Sequence, residues 1–424
     1  MSNNGHIPLP RFQFLTRTAA SVPGIRDLPG EVQQAVSALH LPPNLLEGRR
    51  IAISVGSRGI ADLPAIVRAI CDWLRSQAAR PFVFPAMGSH GGATAEGQRN
   101  VLEEYGITSD SAGAEILSDM TTVSLGPTPE GFQVFMDRNA WQADGVLVLN
   151  RVKPHTDFSG NIESGLLKMM AIGMGKVEGA RECHRWGRKY GPETVIRAMS
   201  ARVLATGKIL CGLAVVENEF HEVCAVRAFR PEGIVTGEEA ALTTARRLCP
   251  RIPFGGFHLL MVDELGKNIS GTGMDTKVIG RGVKLQPGEA PEINLVYVRS
   301  LTDQSAGNAL GVGLADVIHE RLYRRVDVQK MYVNARTSLN PIMARLPICF
   351  PSDREALDFA LGALGSPDPE KQRVVWIRNT LDLSRVVISE ALAWEAKTLS
   401  GWQLSPQFCE LEFNPEDDIT GPSS

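Results

Sequence analysis

Three histidines, one lysine and one arginine are of the right types to share one reaction. His90 lies in Met87-Gly88-Ser89-His90-Gly91-Gly92, and His155 follows Lys153-Pro154. Imidazole titrates near pH ~6.5, so either ring can take or give a proton at neutral pH. Two such groups, one on each face of a carbon, are what a racemase needs; each could equally cap a loop. Lys168 sits among Leu166, Leu167, Met169 and Met170. Burial disfavours an ammonium and makes a nucleophilic amine, although a snorkelling lysine on a mostly buried helix gives the same pattern. His184, in Glu182-Cys183-His184-Arg185-Trp186, could ligate a metal through neutral imidazole. No second ligand stands four residues on, so its other ligands must come from elsewhere. Arg58, in Gly56-Ser57-Arg58-Gly59, suits bidentate capture of a carboxylate or phosphate, or is a solvated loop residue. Gly173 and Gly175, ahead of a helix, could present N–H groups to an anion or form a plain turn.

Elements must hold these residues in place. The run Arg50–Val55 predicts a strand that exits at Arg58. An amphipathic helix follows over about 62–78, with Leu63, Ile66, Val67, Ile70 and Leu74 at helical spacing. A strand at Pro81–Pro85 breaks into the His90 loop, and Thr94 is placed to cap a helix running to about Tyr105. Gly145–Leu149 predicts a third strand, exiting toward His155. Ligands of open α/β sheets bind at the carboxyl ends of strands, so these exits share a location. Helices are expected around Glu163–Ile172, Val177–Arg188, Pro192–Ala205 and Ile234–Leu248, with a strand at Ile209–Val216. Cys249–Gly256 holds two prolines and two glycines and reads as a linker. Beyond it, strands at Leu259–Val262, Ile293–Val298 and Val374–Ile377 and helices at Leu314–Arg325 and Arg354–Leu364 suggest a second α/β domain. The first ~45 residues read as an arm or partly covered edge and the tail from Ser405 as exposed.

Composition excludes several classes. A net charge of −3, from 44 basic and 47 acidic residues, creates no field favouring nucleic acid or anionic membrane. The seven cysteines are odd in number with no C-x-x-C pair, against a disulfide framework or zinc knuckle. The N-terminus lacks a signal-peptide apolar region, and apolar runs such as Ile209–Val216 fall short of the roughly 18 residues of a membrane helix. The expectation is a cytoplasmic enzyme. Its 41 glycines in 424 residues exceed the roughly 7% average, as many close backbone approaches would require.

As an ordered set, these residues resemble the nickel-dependent lactate racemase family. Four short motifs carry the resemblance: VGSRG with Arg58, MGSHGGAT with His90, PHTDFSGNIESGLLK with His155 and Lys168, and a downstream histidine, His184, sixteen residues after Lys168. It covers roughly residues 50–190 well and the remainder in layout. The resemblance implies two α/β domains with mixed, largely parallel sheets and the site in the cleft between them. One domain would span 1–252, rejoined by 385–424, and the other 256–384. It implies a nickel-pincer nucleotide attached covalently through Lys168, with His184 as the protein's nickel ligand. Ser57, Arg58, Gly173 and Gly175 fall to the cofactor, and Arg58 also to the substrate. His90 and His155 would alternate as base and acid while the α-hydride of a 2-hydroxy acid moves to the cofactor ring and back. Implied partners are a small 2-hydroxy acid and, transiently, the cofactor-making enzymes.

Two departures matter. The thirteen-residue step from His155 to Lys168 is longer than in lactate racemases, so that loop differs. The family's substrate-holding Gln and Lys lack a clear match; Lys267 and Asn268 could take that role, or Asp275 could hold a hydroxyl. So polar a segment suits a sugar acid better than lactate. Two further readings account for fewer residues: a Lys168 Schiff-base enzyme of the pyridoxal phosphate type, which leaves His184 unexplained, and a non-catalytic sensor of nucleotides or sugar acids.

Overall fold

The computed structural model describes residues 6–422 except 284, 286, 287, 289, 339, 366 and 367. The chain forms two compact units, one of residues 22–249 and one of residues 1–21 with 250–424. The change at 249–250 falls inside the proline- and glycine-rich stretch. The first strand, β1 (Phe12–Arg17), belongs to the second unit.

In residues 22–249 the main sheet has six strands. They are β2 (Arg50–Val55), β3 (Arg80–Pro85), β4 (Glu115–Ile116), β7 (Gly145–Arg151), β8 (Ile209–Glu217) and β9 (Val223–Phe229), after a separate hairpin of β5 (Thr122–Pro127) and β6 (Gln133–Asp137). Their order is β4-β3-β2-β7-β8-β9, parallel except between β8 and β9. From β2 the chain steps outward to β3 and β4, then returns to place β7 on the other side of β2. This leaves a topological switch point between β2 and β7, where carboxyl-end loops part and leave a crevice. Both faces are covered, so the central strands are continuously buried rather than alternating. Ile51, Ile53 and Val55 belong to the core on one face, and Ala52, Val146 and Val148 to the core on the other.

The second unit is built on an eight-stranded sheet of order β13-β12-β11-β10-β14-β15-β1-β16. Its strands are β10 (Gly256–Leu265), β11 (Glu292–Leu301), β12 (Val317–His319), β13 (Ile348–Phe350), β14 (Val374–Ile377), β15 (Arg385–Ser389) and β16 (Trp402–Leu404), with β1. β13 to β14 run parallel; β15, β1 and β16 add antiparallel. β17 (Leu411–Phe413) and β18 (Ile419–Pro422) form a terminal hairpin. Its switch point lies between β10 and β14.

Three expectations change. Residues 1–21 and 385–424 both lie in the second unit, because β1 pairs with β15 and β16. The segment expected as a helix over Leu314–Arg325 instead contains β12, whose Val317 and Ile318 pair with β11 and β13. A short apolar run buried on both faces does not distinguish strand from helix. The tail is tied down: Cys409 is buried against Phe12, and Arg299 reaches the Ile419 carbonyl.

Arg299 also pairs with Asp353 at 2.7 Å and Asp263 at 2.6 Å. These bonds, with those from Tyr297 and Arg321, hold the Asp353 carboxyl down at about 2 although burial alone would raise it. Replacing Arg299 with Ala leaves that buried carboxylate short of a partner. The expected loss is about 3–5 kcal/mol of stability by denaturant unfolding; a loss under about 1 kcal/mol would contradict this account.

Candidate functional site

Three loops leave adjacent carboxyl ends of β2, β3 and β7. The first carries Ser57 and Arg58, the second His90, the third His155. The Ser57 Oγ and the His90 Nδ1 are hydrogen bonded, and Tyr105 donates to the Ser57 carbonyl at 2.8 Å. A hydroxyl both donates and accepts, so that bond survives whether Nδ1 is protonated or bare. The His90 loop turns through Gly88, Gly91 and Gly92, each with φ near +60°. At Gly91 (φ +63°) a Cβ would also lie 2.7 Å from Gln98 N, so only glycine fits.

The His155 loop closes on itself. Lys153 and Ser164 exchange backbone hydrogen bonds of 3.0 and 3.2 Å. Inside that stem Glu163 is fully buried; its carboxylate accepts from the His155 amide and pairs with Arg246 at 2.5 Å. His155 Nδ1 accepts from the Asp157 amide at 3.0 Å. In the neutral ring the proton therefore sits on Nε2. Phe158 packs against the ring, tilted by 32°, with centroids 4.6 Å apart.

Next the chain forms a short helix, Leu166–Lys168, that continues as a π-helical turn over Met169–Gly173. Such turns are rare and concentrate at functional sites. Its entry is fixed by two contacts. Asn150, at the end of β7, donates to the Gly165 carbonyl at 2.7 Å. Glu238, from the helix Ile234–Leu248, accepts from the Leu167 amide at 2.8 Å. A side chain at Gly165 would overlap the Glu238 carboxyl. Burial pushes that carboxyl up to about 7, against the lowering pull of the Leu167 and Leu166 amides.

Lys168 is partly exposed, and its amine has no hydrogen bond or ion pair among the described residues. Crowding by protein lowers it to about 8; Cys183 and Asp157 oppose the shift, while Arg58 and Lys153 add to it. His184 lies on the helix Lys176–Tyr190. It is exposed, yet enough protein surrounds its ring to lower its pKa, with Lys168 lowering it further and Asp157 opposing. A neutral imidazole within electrostatic reach of a partly neutral amine can ligate a metal, and that amine can be acylated. Arg58 is exposed and has no ion-pair partner among the described residues.

Gly173 and Gly175 are each required by close packing of the backbone. A Cβ at Gly173 would lie 2.6 Å from the Ala86 carbonyl, and at Gly175 2.8 Å from that of Ala171. Their Cα atoms face protein, and the absent side chains allow the π-turn to press on the end of β3. Lys176 is fully buried and pairs with Asp137 at 3.1 Å.

Lys267 and Asn268 belong to the other unit, following β10 at that sheet's carboxyl edge. The Lys267 amine donates to the Gly271 carbonyl. Asn268 accepts from Thr302 at 2.7 Å. Asn268, Thr302, Glu264, Ser300, Arg325 and Arg378 are among the walls of a pocket of about 260 Å³. Sequence reading missed Arg325 and Arg378, which only the sheet order brings beside Asn268. A His319, Asp353 and Asp418 cluster has metal-like spacing, but Asp353 is occupied by Arg299 and Arg321. That cluster is an ion-pair network. Asp275 caps a short helix through the Lys277 amide at 2.9 Å.

The chain is similar in fold to the lactate racemase apoprotein from Thermoanaerobacterium thermosaccharolyticum, with a TM-score of 0.53 at 13% identity over 86% of this chain and 94% of that one. A protein from Thermotoga maritima is similar at a TM-score of 0.47 and 14% identity, over 64% of this chain and 70% of that one. No family model and no curated protein matches the sequence. The likeness shows the fold.

Two titrations follow. In competitive labelling of the apoprotein read by mass spectrometry, Lys168 should gain reactivity with a midpoint near pH 8, whereas ordinary lysines follow ~10.4; a Lys168 midpoint above 10 would refute the environment described. Glu238 binds its proton more tightly folded than unfolded, so its contribution to stability falls as pH rises from the ordinary carboxylate range through about 7. Glu238→Gln lacks that loss. Unfolding curves should show the variant gaining about 3 kcal/mol on the wild type between pH 4.5 and 7. A difference that does not change with pH would count against a buried, raised carboxyl.

Proposed function

We propose that the protein is a racemase or epimerase that inverts the α-carbon of a 2-hydroxy acid and carries a nickel-pincer nucleotide on Lys168. The observation that carries this reading is the pair formed by Lys168 and His184: an unpaired, partly neutral amine within electrostatic reach of a neutral imidazole, at the carboxyl edge of a sheet near its switch point. The likeness in fold to a lactate racemase apoprotein supports it.

The residues fit the group. An amine without an internal partner is open to covalent attachment, and the exposed His184 ring, with no internal hydrogen bond among the described residues, is open to a metal. When bound, the group would accept and return the α-hydride. Lys168 would anchor it and His184 would ligate the nickel. Gly173 and Gly175 shape the backbone beside it. Arg58, unpaired and exposed, would take the substrate carboxylate through two parallel N–H bonds.

His90 and His155 would handle the hydroxyl proton. His155 holds its proton on Nε2 when neutral, because the Asp157 amide occupies Nδ1. In that form Nε2–H can only hydrogen bond to the oxygen; to supply a proton the ring would first become imidazolium, exchanging the Asp157 amide for the Asp157 carboxylate, 3.9 Å from Nδ1. His90 keeps its Ser57 bond in either protonation state, so its Nε2 can accept the hydroxyl proton as the ring becomes imidazolium. A proton taken by one ring and supplied by the other closes the proton balance at the oxygen; inversion would come from return of the hydride to the opposite face of the α-carbon. In the second unit, Lys267 and Asn268 are the proposed substrate contacts. The polar walls around Asn268 favour a polyhydroxy acid over lactate.

The test uses protein co-produced with the cofactor-making enzymes and a screen of 2-hydroxy acids followed for α-carbon inversion. One nickel per chain and an adduct mass on Lys168 are expected. Lys168→Ala should lose the adduct. His90→Ala and His155→Ala should keep nickel and lose roughly 10²–10⁴-fold in kcat. Normal turnover in either histidine variant refutes the two-base scheme. A carbonyl-type Schiff-base absorbance without nickel favours a pyridoxal-phosphate enzyme instead.

A further inference from the structure

The glycine-rich loop that presents His90 has little stiffness of its own, since Gly88, Gly91 and Gly92 all sit at positive φ. Something outside the loop must fix it. Gln98, fully buried on the helix Ala95–Glu104, does so from beneath. Its Nε2 donates to the Gly88 carbonyl at 2.9 Å and to the His90 carbonyl at 3.2 Å. Its Oε1 accepts from Lys176 Nζ at 2.9 Å. An ammonium can only donate, so Lys176 dictates which end of the carboxamide faces it. The two N–H groups must then face the loop.

Lys176 is itself held hard. It is fully buried, donates to the Pro85 carbonyl and pairs with Asp137. Its backbone lies at φ +50°, a conformation L side chains rarely adopt. Asp137 also caps the helix Arg138–Gln142 through the amides of Asn139 at 2.7 Å and Ala140 at 3.1 Å. The loop has a further tie: the Gly88 amide donates to the Gly173 carbonyl at 3.1 Å. The network thus joins the His90 loop to the segment that follows Lys168.

We propose that Gln98 is a positioning residue for His90, oriented by the buried Lys176–Asp137 pair. The inference rests on the reading of His90 as an acid–base group only for its purpose; the positional claim is tested separately. Gln98→Glu keeps the side-chain shape and gains an ion pair with Lys176, but puts an oxygen against the Gly88 and His90 carbonyls. It should fold and release the loop.

The experiment follows the full-length apoprotein labelled with ¹⁵N-histidine, using His90→Ala to assign the ring signals, together with amide exchange. In Gln98→Glu the His90 ring signals and their pH titration should move while those of His155 stay, and exchange at residues 88–92 should rise about tenfold or more. Gln98→Asn, one methylene shorter, should act the same way and decides the matter if the glutamate variant fails to fold. Unchanged His90 signals and unchanged exchange in the folded variant overturn the proposal. In loaded enzyme, kcat should fall about tenfold with KM little changed. A released loop in Gln98→Glu combined with normal turnover in His90→Ala supports the latch and overturns the acid–base reading.

Discussion

A lysine amine kept crowded by protein and without a partner among the described residues is the constraint on which the site depends. Such a group is unfavourable in its charged form and would normally turn toward solvent or a carboxylate. Here the backbone leaves it little choice. The Leu166–Lys168 turn is pinned at its start by Asn150 and Glu238 and continues into the π-turn that packs on β3. The acid that acts on it, Asp157, does not pair with it, and the buried Glu163 and Glu238 are committed to backbone amides or to Arg246. With those carboxylates engaged, none of the described residues pairs with the amine.

The same economy of partners separates the two unit sheets. In residues 22–249 the loop after β2 exposes Arg58, and the helix Lys176–Tyr190 exposes His184, without internal partners among the described residues. In the second unit the charged groups nearest the metal-like spacing are paired with one another: Arg299 and Arg321 on Asp353, and His319 on Asp418. A cation entering there would have to displace two guanidiniums from a carboxylate held at about 2. Spacing alone makes the second cluster look like a metal site; hydrogen-bond occupancy shows an ion-pair network.

Much of the first unit was legible because its signals are local. The strand Arg50–Val55, the helix after it and the Thr94 cap follow from periodicity and capping chemistry, and the cap donates no surprise: Thr94 accepts from the Gly97 amide at 3.0 Å. Other features were hidden because their causes are non-local. β1 joins the second unit through pairing with β15, more than three hundred residues away. β12 has only three residues and reads as part of a helix until its neighbours are known. The β5–β6 hairpin, whose strand ends meet the π-turn through Asp137 and Met174, is the exception: Thr128-Pro129-Glu130-Gly131 is a local turn signal, closed by the Gly131 amide on the Thr128 carbonyl at 2.9 Å. At Gly173 and Gly175 the carbonyls of Ala86 and Ala171 also require glycine, a need the sequence does not display.

The longer step between His155 and Lys168 also has a physical account. A loop of that length would ordinarily leave its histidine poorly placed, because loop backbone lacks regular partners. Glu163 compensates by turning inward: one carboxylate receives the His155 amide, the Gly160 amide at 3.4 Å and the Arg246 guanidinium. Arg246 comes from the helix that also supplies Glu238. One helix, Ile234–Leu248, therefore steadies both the His155 loop and the Lys168 turn. The proposed acid–base histidine and the proposed cofactor anchor are thus tied to a common rigid element, as pre-organisation of a site requires. Any change in how that helix packs on β8 would be felt at both positions together.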